Sequence, residues 1–347
     1  MTCPESTRRA ALAGIAATAV GAALRIPPAR TEEEGNPRRI DVHHHIWPSD
    51  YVAREHERVL AVTSNLASLQ WTPQRSIDEM DKAGIDTAIV SISTPGIWFG
   101  DVEEGRGLAR LCNDYAAGMV RDHGARFGFF GALPLPDLDG SLKEIGYTLD
   151  TLKADGVCLL SSYGDKWPGD PAFDSVFQEL NRRRAVVYVH PTAPNCCVNL
   201  ATGVPVSAVE LFTDTVRAIT SLLARGTFAR YPDIRFIFSH AGGTIALLAD
   251  RLQTFRNSTP NLAQGTPDGV LPILARLHYD IASVVNPRNI AALLAMAPVS
   301  QVLFGTDYPF VPVPATANAL DKYGFAPAEL RAINRDNAAR LFPRLAR

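Results

Sequence analysis

The sequence lacks the features that would mark a zinc ribbon, a disulfide scaffold or a nucleic-acid-binding protein. Its five cysteines are few and odd in number, which argues against a disulfide framework. They also lack the repeated C-x-x-C spacing of a zinc ribbon. Its 34 basic and 36 acidic residues give a net charge of −2 without a basic stripe, so nucleic acid is not an expected partner. No G-x-G-x-x-G follows the first predicted strand and no P-loop occurs, which argues against a nucleotide-binding Rossmann-like sheet.

The N-terminus differs in kind from the rest of the chain. Arg8 and Arg9 precede a weakly apolar run, Ala10 to Leu24, an arrangement similar to a twin-arginine export signal. The run is too short and too weakly apolar for a membrane span. A proline- and charge-rich linker, 25–38, follows. We therefore expect a signal and linker over 1–38, a folded domain over 39–347 and a periplasmic location; the alternative is a cytoplasmic protein with an N-terminal extension.

Beyond the linker, short apolar runs rich in β-formers alternate with longer amphipathic runs. Near-continuous apolar strands separated by one-sided helices indicate a parallel sheet covered by helices, and eight such units favour a closed (β/α)8 TIM barrel over an open sheet. The eight predicted strands are 39–46, 86–93, 127–133, 156–161, 185–190, 234–240, 277–282 and 301–307. The predicted helices are 74–83, 103–122, 139–154, 172–184, 207–230, 244–257, 287–296 and 327–341.

Four of the predicted strands end in residues that bind metal ions or work beside them. They carry His43 and His45, His190, His240 and Asp307. In a parallel barrel the carboxyl ends of the strands share one face, so these side chains are expected to converge there. Imidazole and carboxylate are good ligands for zinc and other first-row divalent ions. The pattern predicts a metalloenzyme.

The histidines are expected to differ in role. Alternation along a strand places His43 and His45 on one face and His44 on the other; His44 is interpreted as a surface, loop or packing residue. We expect His43, His45, His190 and Asp307 to be ligands, and His240 to act as a general acid or base; a fourth histidine ligand is the alternative. Asp41 is expected on the face of His43, either hydrogen-bonded to a ligand imidazole or as a structural carboxylate.

The same segments resemble those of the amidohydrolase superfamily, in the branch of aminocarboxymuconate-semialdehyde decarboxylase and related aromatic-acid decarboxylases. The resemblance rests on Asp-x-His-x-His at 41–45, Val-His-Pro at 189–191, Ser-His-Ala-Gly-Gly at 239–243 and Phe-Gly-Thr-Asp-Tyr-Pro at 304–309. Connecting segments, among them Leu-Pro-Leu-Pro at 133–136, are similar to 6-methylsalicylate decarboxylases. The resemblance implies a metal-dependent barrel of the hydrolase type, the same four ligands, a catalytic His240 and a homodimer.

Binuclear members of the superfamily carry a bridging lysine at the end of the fourth strand. Here that strand ends Leu-Leu-Ser-Ser-Tyr at 159–163, and no lysine occurs before Lys166. We therefore expect one divalent ion, with Zn²⁺ favoured and Mn²⁺ as the alternative. The position of Asp307 beside both ion and substrate ring implies, by the resemblance, that it delivers a proton.

The reaction implied is non-oxidative decarboxylation of a small aromatic hydroxy acid of the salicylate type. The same ligands would also suit a hydrolase that opens a lactone, ester or amide with metal-activated water, and the strand-end residues alone do not separate the two reactions. Four residues on loops after strands are candidate substrate contacts. They are Trp47, Trp98, Tyr163 and Phe310.

Overall fold

Eight parallel strands, hydrogen-bonded in the order of the sequence, form the centre of this computed structural model. It describes residues 37–62, 69–194, 196–197 and 203–345, all within one unit, Asn36–Arg347. The strands are β1 (Arg39–His45), β2 (Ile85–Ser91), β3 (Phe127–Ala132), β4 (Gly156–Leu160), β5 (Val186–His190), β6 (Arg235–Phe238), β7 (His278–Asp280) and β8 (Val302–Leu303). The predicted export signal lies outside the described residues.

The ring is closed by the backbone that follows β8. Val42 N donates to Phe304 O at 3.0 Å, and His45 N donates to Tyr308 O at 2.8 Å. The first and last strands are thereby joined, so the expected TIM barrel is confirmed. Its eighth strand is much shorter than predicted, because the chain leaves regular strand geometry after Leu303 on its way to Asp307.

Helices surround the strands. They are α1 (Ser49–Arg54), α2 (His56–Val62), α3 (Pro73–Lys82), α4 (Val102–His123), α5 (Leu138–Gly146), α6 (Asp174–Arg182), α7 (Val206–Ala224), α8 (Thr227–Arg230), α9 (Ile245–Arg256), α10 (Pro260–Gly265), α11 (Val270–Ala275), α12 (Pro287–Met296), α13 (Val313–Tyr323), α14 (Pro327–Arg331) and α15 (Asn337–Leu341). Side-chain caps fix several starts: Asp101 accepts from Glu104 N before α4, and Asn286 accepts from two backbone N–H groups before α12. Within the described residues, no helix has the length and apolarity needed to cross a membrane.

The core has two parts. A large layer fills the space between strands and helices, and a smaller one fills the barrel interior. In the interior the rings of Phe130 and Tyr188 stack with centroids 5.1 Å apart. Leu341, Phe342 and Leu345, from the C-terminal end of the chain, belong to this inner layer. They pack against the first residues of the interior, such as Ile40, and fill the barrel at the end opposite the strand carboxyl termini.

Candidate active site

Four strand ends bring four histidines and one aspartate together. His43 and His45 end β1, His190 ends β5, and His240 and Asp307 follow β6 and β8. Nε2 of His43 lies 3.2 Å from Nε2 of His45 and 3.2 Å from Oδ1 of Asp307, and Nε2 of His45 lies 3.1 Å from that oxygen. The four histidines are buried, and the side chain of Asp307 is 14% exposed. Every residue predicted for metal binding or proton transfer therefore lies in one cluster.

Each histidine of the cluster has its Nδ1 atom next to an oxygen. The partners are Asp280 Oδ2 for His43 at 3.1 Å, Ser91 O for His45 at 3.3 Å, Pro191 O for His190 at 2.9 Å and Ala282 O for His240 at 2.9 Å. Because Nδ1 donates to these acceptors, Nε2 of each neutral ring is left as a lone pair. Nε2 of His190 has no hydrogen-bond partner among the described residues. Lone pairs that converge in this way are suited to bind a cation.

The spacing of the donor atoms fits a divalent ion. One donor atom from each of His43, His190, His240 and Asp307 lies within 4.8 Å of the others. Tetrahedral ligand bonds of roughly 2.0–2.2 Å place neighbouring donors roughly 3.3–3.6 Å apart, a little more than the separations of 3.1–3.2 Å among His43, His45 and Asp307. Nitrogen and oxygen donors of this kind suit zinc and other first-row metals. The chain therefore has a site for a divalent metal ion.

Which histidines bind the ion and which one transfers a proton remains a prediction. The group within 4.8 Å contains His240 and not His45, whereas we expect His45 to be the ligand. His45 nevertheless lies closer to Asp307 than His240 does, since Nε2 of His240 is 3.9 Å from Asp307 Oδ2. His240 is either the catalytic residue beside four other ligands or a ligand itself. In both cases the ion lies in the same cluster.

Electrostatics also favour a cation here. Burial alone would lower the pKa of His43, but the carboxylates of Asp280 and Asp307 outweigh it and raise that pKa to about 10. Burial would raise the pKa of Asp307, yet the neighbouring histidines, His43 first, hold it well below its usual value. Burial lowers the pKa of His190 well below its ordinary value, and the neighbouring His45 and His43 add to that effect. The two carboxylates thus favour a positive charge at His43, which a divalent ion would supply in place of the proton.

Asp280 is a site residue that the sequence analysis missed. It ends β7, is fully buried and places Oδ2 against Nδ1 of His43. The one available signal was its position within the predicted strand 277–282. Tyrosine and aspartate there read equally well as core and strand-end residues, because no histidine or glycine-rich turn follows them.

The expectation for the face of Asp41 is wrong. Its carboxylate accepts from Nδ1 of His44 at 3.0 Å, and Nε2 of His44 contacts Ser76 Oγ at 3.0 Å. The pairing of β1 with β2 shifts register between Asp41 and His44, and such an irregularity breaks the strict alternation of side chains. Asp41 is therefore a structural carboxylate that holds the packing residue His44 against α3.

At the start of the loop after β4, Ser161 takes the place that a bridging lysine would need. Its hydroxyl donates to Asp214, a fully buried carboxylate of α7. Lys166 instead lies in the following turn, where its side chain is 40% exposed and contacts Asp165. These positions agree with the expectation of a single ion, which remains a prediction.

The turns that carry His240 and Asp307 use left-handed backbone. His240 has φ of 51°, Ala241 of 58° and Asp307 of 67°, conformations that cost non-glycine residues energy and occur where surrounding contacts enforce them. Gly305 precedes Asp307 at a close approach: a Cβ there would lie 2.8 Å from Cβ of His43 and 3.1 Å from Cβ of Asp280. The motif around Asp307 needs a glycine because three strand ends meet at this point.

A cavity of about 640 Å³ opens at the strand carboxyl ends on the side of β2 to β5. Its lining is mostly apolar and includes Cys158, Leu160 and Thr192. Thr192 follows His190 by two residues, and Cys158 interacts with Ser91, whose hydroxyl lies 3.3 Å from His45 Nδ1. Within the part of the chain that the structure describes, no residue of the histidine cluster lines this cavity, but Thr192 and Cys158 connect its lining to His190 and His45. A second cavity, of about 620 Å³, lies among arginines at the opposite end of the barrel, away from that cluster.

The four candidate substrate contacts fall into two pairs. Trp98 and Tyr163 line the 640 Å³ cavity. Phe310 lies beside the cluster with its ring 5.5 Å from that of His45, and Trp47 packs on Phe310 at 5.8 Å. Trp47 is buried, and its Nε1 has no hydrogen-bond partner among the described residues. Substrate contact by any of the four remains a prediction.

Known proteins are similar to this chain in sequence and in architecture. The amidohydrolase family profile matches residues 40–344. The chain is 35% identical to the decarboxylase yanB of Aspergillus niger, covering 88% of each chain, and 33% identical to a 6-methylsalicylic acid decarboxylase of Penicillium expansum, covering 88% of this chain and 97% of that one. A solved structure of 5-carboxyvanillate decarboxylase from Novosphingobium aromaticivorans, with bound manganese, superposes with a TM-score of 0.80 at 20% identity, covering 88% of this chain and 97% of the other. The chain belongs to the amidohydrolase family.

Proposed function

We propose that the protein is a metal-dependent, non-oxidative decarboxylase of a small hydroxybenzoic acid of the salicylate type. The observation that carries the proposal is the buried cluster of four histidines and Asp307 at the barrel mouth, in a chain at least 33% identical to the two decarboxylases above. The donor set would also serve a hydrolase. The relatives at 33% and 35% identity are both named decarboxylases, which favours decarboxylation.

The chain's own residues account for the chemistry required. A divalent ion held by the cluster would supply the positive charge that fixes a carboxylate and its ortho hydroxyl. A proton then adds to the ring carbon that bears the carboxylate, the bond to the carboxylate breaks, and its electron pair restores the aromatic ring as carbon dioxide leaves. No electrons are gained or lost overall, so no redox cofactor is needed.

Asp307 and His240 are the proposed proton carriers. Asp307 is ionised in the resting site, because its pKa is held well below the usual value by His43 and the other histidines despite burial. It must therefore receive a proton before passing it to the ring carbon. Nε2 of His240, 3.9 Å from Asp307 Oδ2, is the neighbouring group placed to supply it or to hold the substrate hydroxyl.

The cavity beside the cluster favours a substrate with one carboxylate. Arg58 is the one positively charged residue among those described in its lining. It is already paired with Glu55 and Glu104, and its guanidinium lies 4.0 Å from the centre of the Phe99 ring. A second substrate carboxylate would remain unpaired in this lining, at a considerable desolvation cost. An apolar ring substituent, such as the methyl group of 6-methylsalicylate, fits the surface better.

A panel of acids tests the reaction and the substrate class together. Purified protein would be incubated in deuterated water with 6-methylsalicylate, 2,6-dihydroxybenzoate and 5-carboxyvanillate. We expect carbon dioxide release and one deuterium in the ring, with the highest kcat/KM for 6-methylsalicylate. Opening of lactones without decarboxylation of any acid would instead establish the hydrolase alternative.

Replacement of His240 tests its role. Because His240 is proposed to move a proton and not to bind the ion, His240→Ala is expected to retain about one metal ion per chain and to lose at least about 100-fold in kcat. His190→Ala is the matched control and should lose the ion. Metal content by mass spectrometry of the purified variants checks both, and loss of the ion in His240→Ala would make His240 a ligand.

The finer identity of the ion is also a proposal. Zn²⁺ is favoured by the three-histidine, one-carboxylate donor set, and Mn²⁺ is supported by the manganese bound in the carboxyvanillate decarboxylase. Metal analysis of protein expressed in medium with both ions distinguishes them. Two ions per chain would contradict the single-ion proposal.

We also propose export by the twin-arginine-like segment and assembly as a homodimer. The first rests on Arg8 and Arg9 before the weakly apolar run, and the second on the family resemblance. Residues 1–38 fused to a reporter that works only outside the cytoplasm should be exported, and replacement of both arginines by lysine should stop it. Light scattering of the purified protein should give twice the 37.6 kDa chain mass.

A further inference from the structure

Asp280 contacts both halves of the proposed site. Its Oδ2 lies 3.1 Å from Nδ1 of His43 and accepts from the Tyr188 hydroxyl at 3.1 Å. Its Oδ1 accepts from the backbone N–H of His240 at 3.1 Å and of Ala282 at 3.0 Å. Both oxygens of one fully buried carboxylate are thus used.

The contact with His43 sets the direction of a proposed metal-facing lone pair. An ionised carboxylate accepts the Nδ1 proton of the imidazole, which leaves Nε2 unprotonated and fixes the ring plane. The Tyr188 hydroxyl binds the same oxygen and keeps it aimed at the ring. Among the four histidines of the cluster, His43 is the one whose Nδ1 faces a carboxylate; the other three face backbone carbonyl groups.

The contacts with His240 hold a turn that would otherwise be unfavourable. His240 and Ala241 both have positive φ, at 51° and 58°, and the bond from His240 N to Asp280 fixes the entry to this turn. The same carboxylate fixes Ala282 N, and the carbonyl of Ala282 receives Nδ1 of His240 at 2.9 Å. Asp280 therefore holds the backbone of His240 directly and its ring through Ala282.

We propose that Asp280 is a positioning residue that sets, through one carboxylate, both the metal affinity at His43 and the placement of His240. For the effect on turnover this rests on the proposed function. Its effects on metal affinity and on the His240 turn do not, because both are measured without substrate. Asp280 itself touches neither the proposed ion nor the substrate.

The test is Asp280→Asn in the full-length protein. Asparagine keeps the size but offers one acceptor oxygen, so it cannot serve both His43 and the two backbone N–H groups. After chelation, titration with Mn²⁺ in a calorimeter should give a Kd raised about 10–100-fold. Hydrogen exchange of the peptide covering 239–243 should become faster. With metal saturating, kcat should stay at least about 10-fold below wild type while KM changes by less than about threefold.

Asp214→Asn is the matched control. Asp214 is also a fully buried carboxylate, bound by Ser161, Ser162 and Trp167. Among the described residues, none of its hydrogen bonds or ion pairs involves the histidine cluster. It should lower the melting temperature and leave the Mn²⁺ Kd within about twofold. If Asp280→Asn behaved like this control, Asp280 would be merely structural. If excess metal restored wild-type kcat and exchange at 239–243 were unchanged, the proposed link to His240 would be wrong.

Tyr188→Phe keeps the proposal testable if Asp280→Asn does not fold. It preserves the ring that stacks on Phe130 and removes only the hydroxyl that orients Oδ2. We expect a smaller increase in the Mn²⁺ Kd, about 2–5-fold by comparison with loss of a whole ligand-holding group. A wild-type Kd in this variant would contradict the role given to Oδ2.

Discussion

At the scale of single residues, the partner of each Nδ1 atom determines whether Nε2 of that histidine is available to bind an ion. Three of the four rings in the cluster face backbone carbonyls and one faces Asp280. Both ring nitrogens of His44 have a partner, Nδ1 with the Asp41 carboxylate and Nε2 with the Ser76 hydroxyl. Its ring therefore has no free lone pair for an ion, although it lies between two residues that do.

Gly305→Ala should disturb the cluster without removing any ligand. The added methyl group would lie 2.8 Å from Cβ of His43 and 3.1 Å from Cβ of Asp280, so the backbone must move. Overpacking of this kind costs about 1–3 kcal/mol in the free energy of unfolding, measurable by urea titration. We also expect weaker metal binding.

Gly107→Ala, at a position of α4 where a Cβ meets nothing within 4 Å, is the control for that substitution. It should be neutral or slightly stabilising, because alanine favours helix. Equal unfolding free energies for the two variants would show that the backbone near Gly305 can move to accommodate a methyl group without loss of stability.

The residues that the sequence predicted share a property that the missed ones lack. His43, His190, His240 and Asp307 end apolar runs and stand beside proline, glycine or further histidine, so each has a local signal. Asp280 is preceded by His278 but is followed by no proline, glycine or histidine within the next three residues. Its role depends on His43, which is 237 positions away in the chain. Which face Asp41 occupies depends on a register shift that strand alternation does not anticipate.

At the scale of elements, the first seven strands were predicted to within two residues at each end, whereas β8 is much shorter than its predicted range. The predicted helix 207–230 is divided into α7 and α8, α5 ends at Gly146 within the predicted helix 139–154, and several short helices were missed. α10 and α11 have six residues each, too few to show an apolar period. α13 begins among prolines at 312 and 314, which resemble a loop in sequence although proline is well suited to a first helical turn. The long segment after β1 contains two further short helices, α1 and α2, in its described part.

The start of β7 carries a pH-sensitive residue outside the cluster. Burial lowers the pKa of His278 to about 4. As pH falls from about 6.5, the unfolded chain binds a proton that the folded protein does not, so stability is lost until about pH 4. At about 1.4 kcal/mol per pH unit over about 2.5 pH units, the loss of unfolding free energy amounts to about 3.5 kcal/mol.

Urea unfolding of metal-free protein between pH 7 and pH 4.5 checks this prediction. His278→Gln should flatten the decline in the free energy of unfolding, because glutamine does not titrate. His56→Gln is the matched substitution at an exposed histidine, 52% accessible, and should follow the wild-type profile. A parallel decline in His278→Gln would assign the pH dependence to other groups.

At the scale of the whole molecule, the ion is expected to stabilise the fold. The unfolded chain cannot bring β1, β5 and β8 together, so binding favours the folded state by about 2.7 kcal/mol when free metal is 100 times Kd. Chelation should therefore lower the melting temperature by several degrees in calorimetry. His190→Ala should melt at the same temperature with and without chelator. If the chelator lowered the melting temperature of this variant as much as that of the wild type, the ion would lie outside the histidine cluster.

The junction of the first and last strands has a consequence for synthesis of the protein. His45 and Asp307 are 262 positions apart in the chain, yet their donor atoms lie together across the seam where the ring closes. A nascent chain has no complete metal-binding site until its eighth strand has left the ribosome. Metal uptake is then a late step that reports a finished barrel, so a chain shortened before Asp307 should accumulate without its ion.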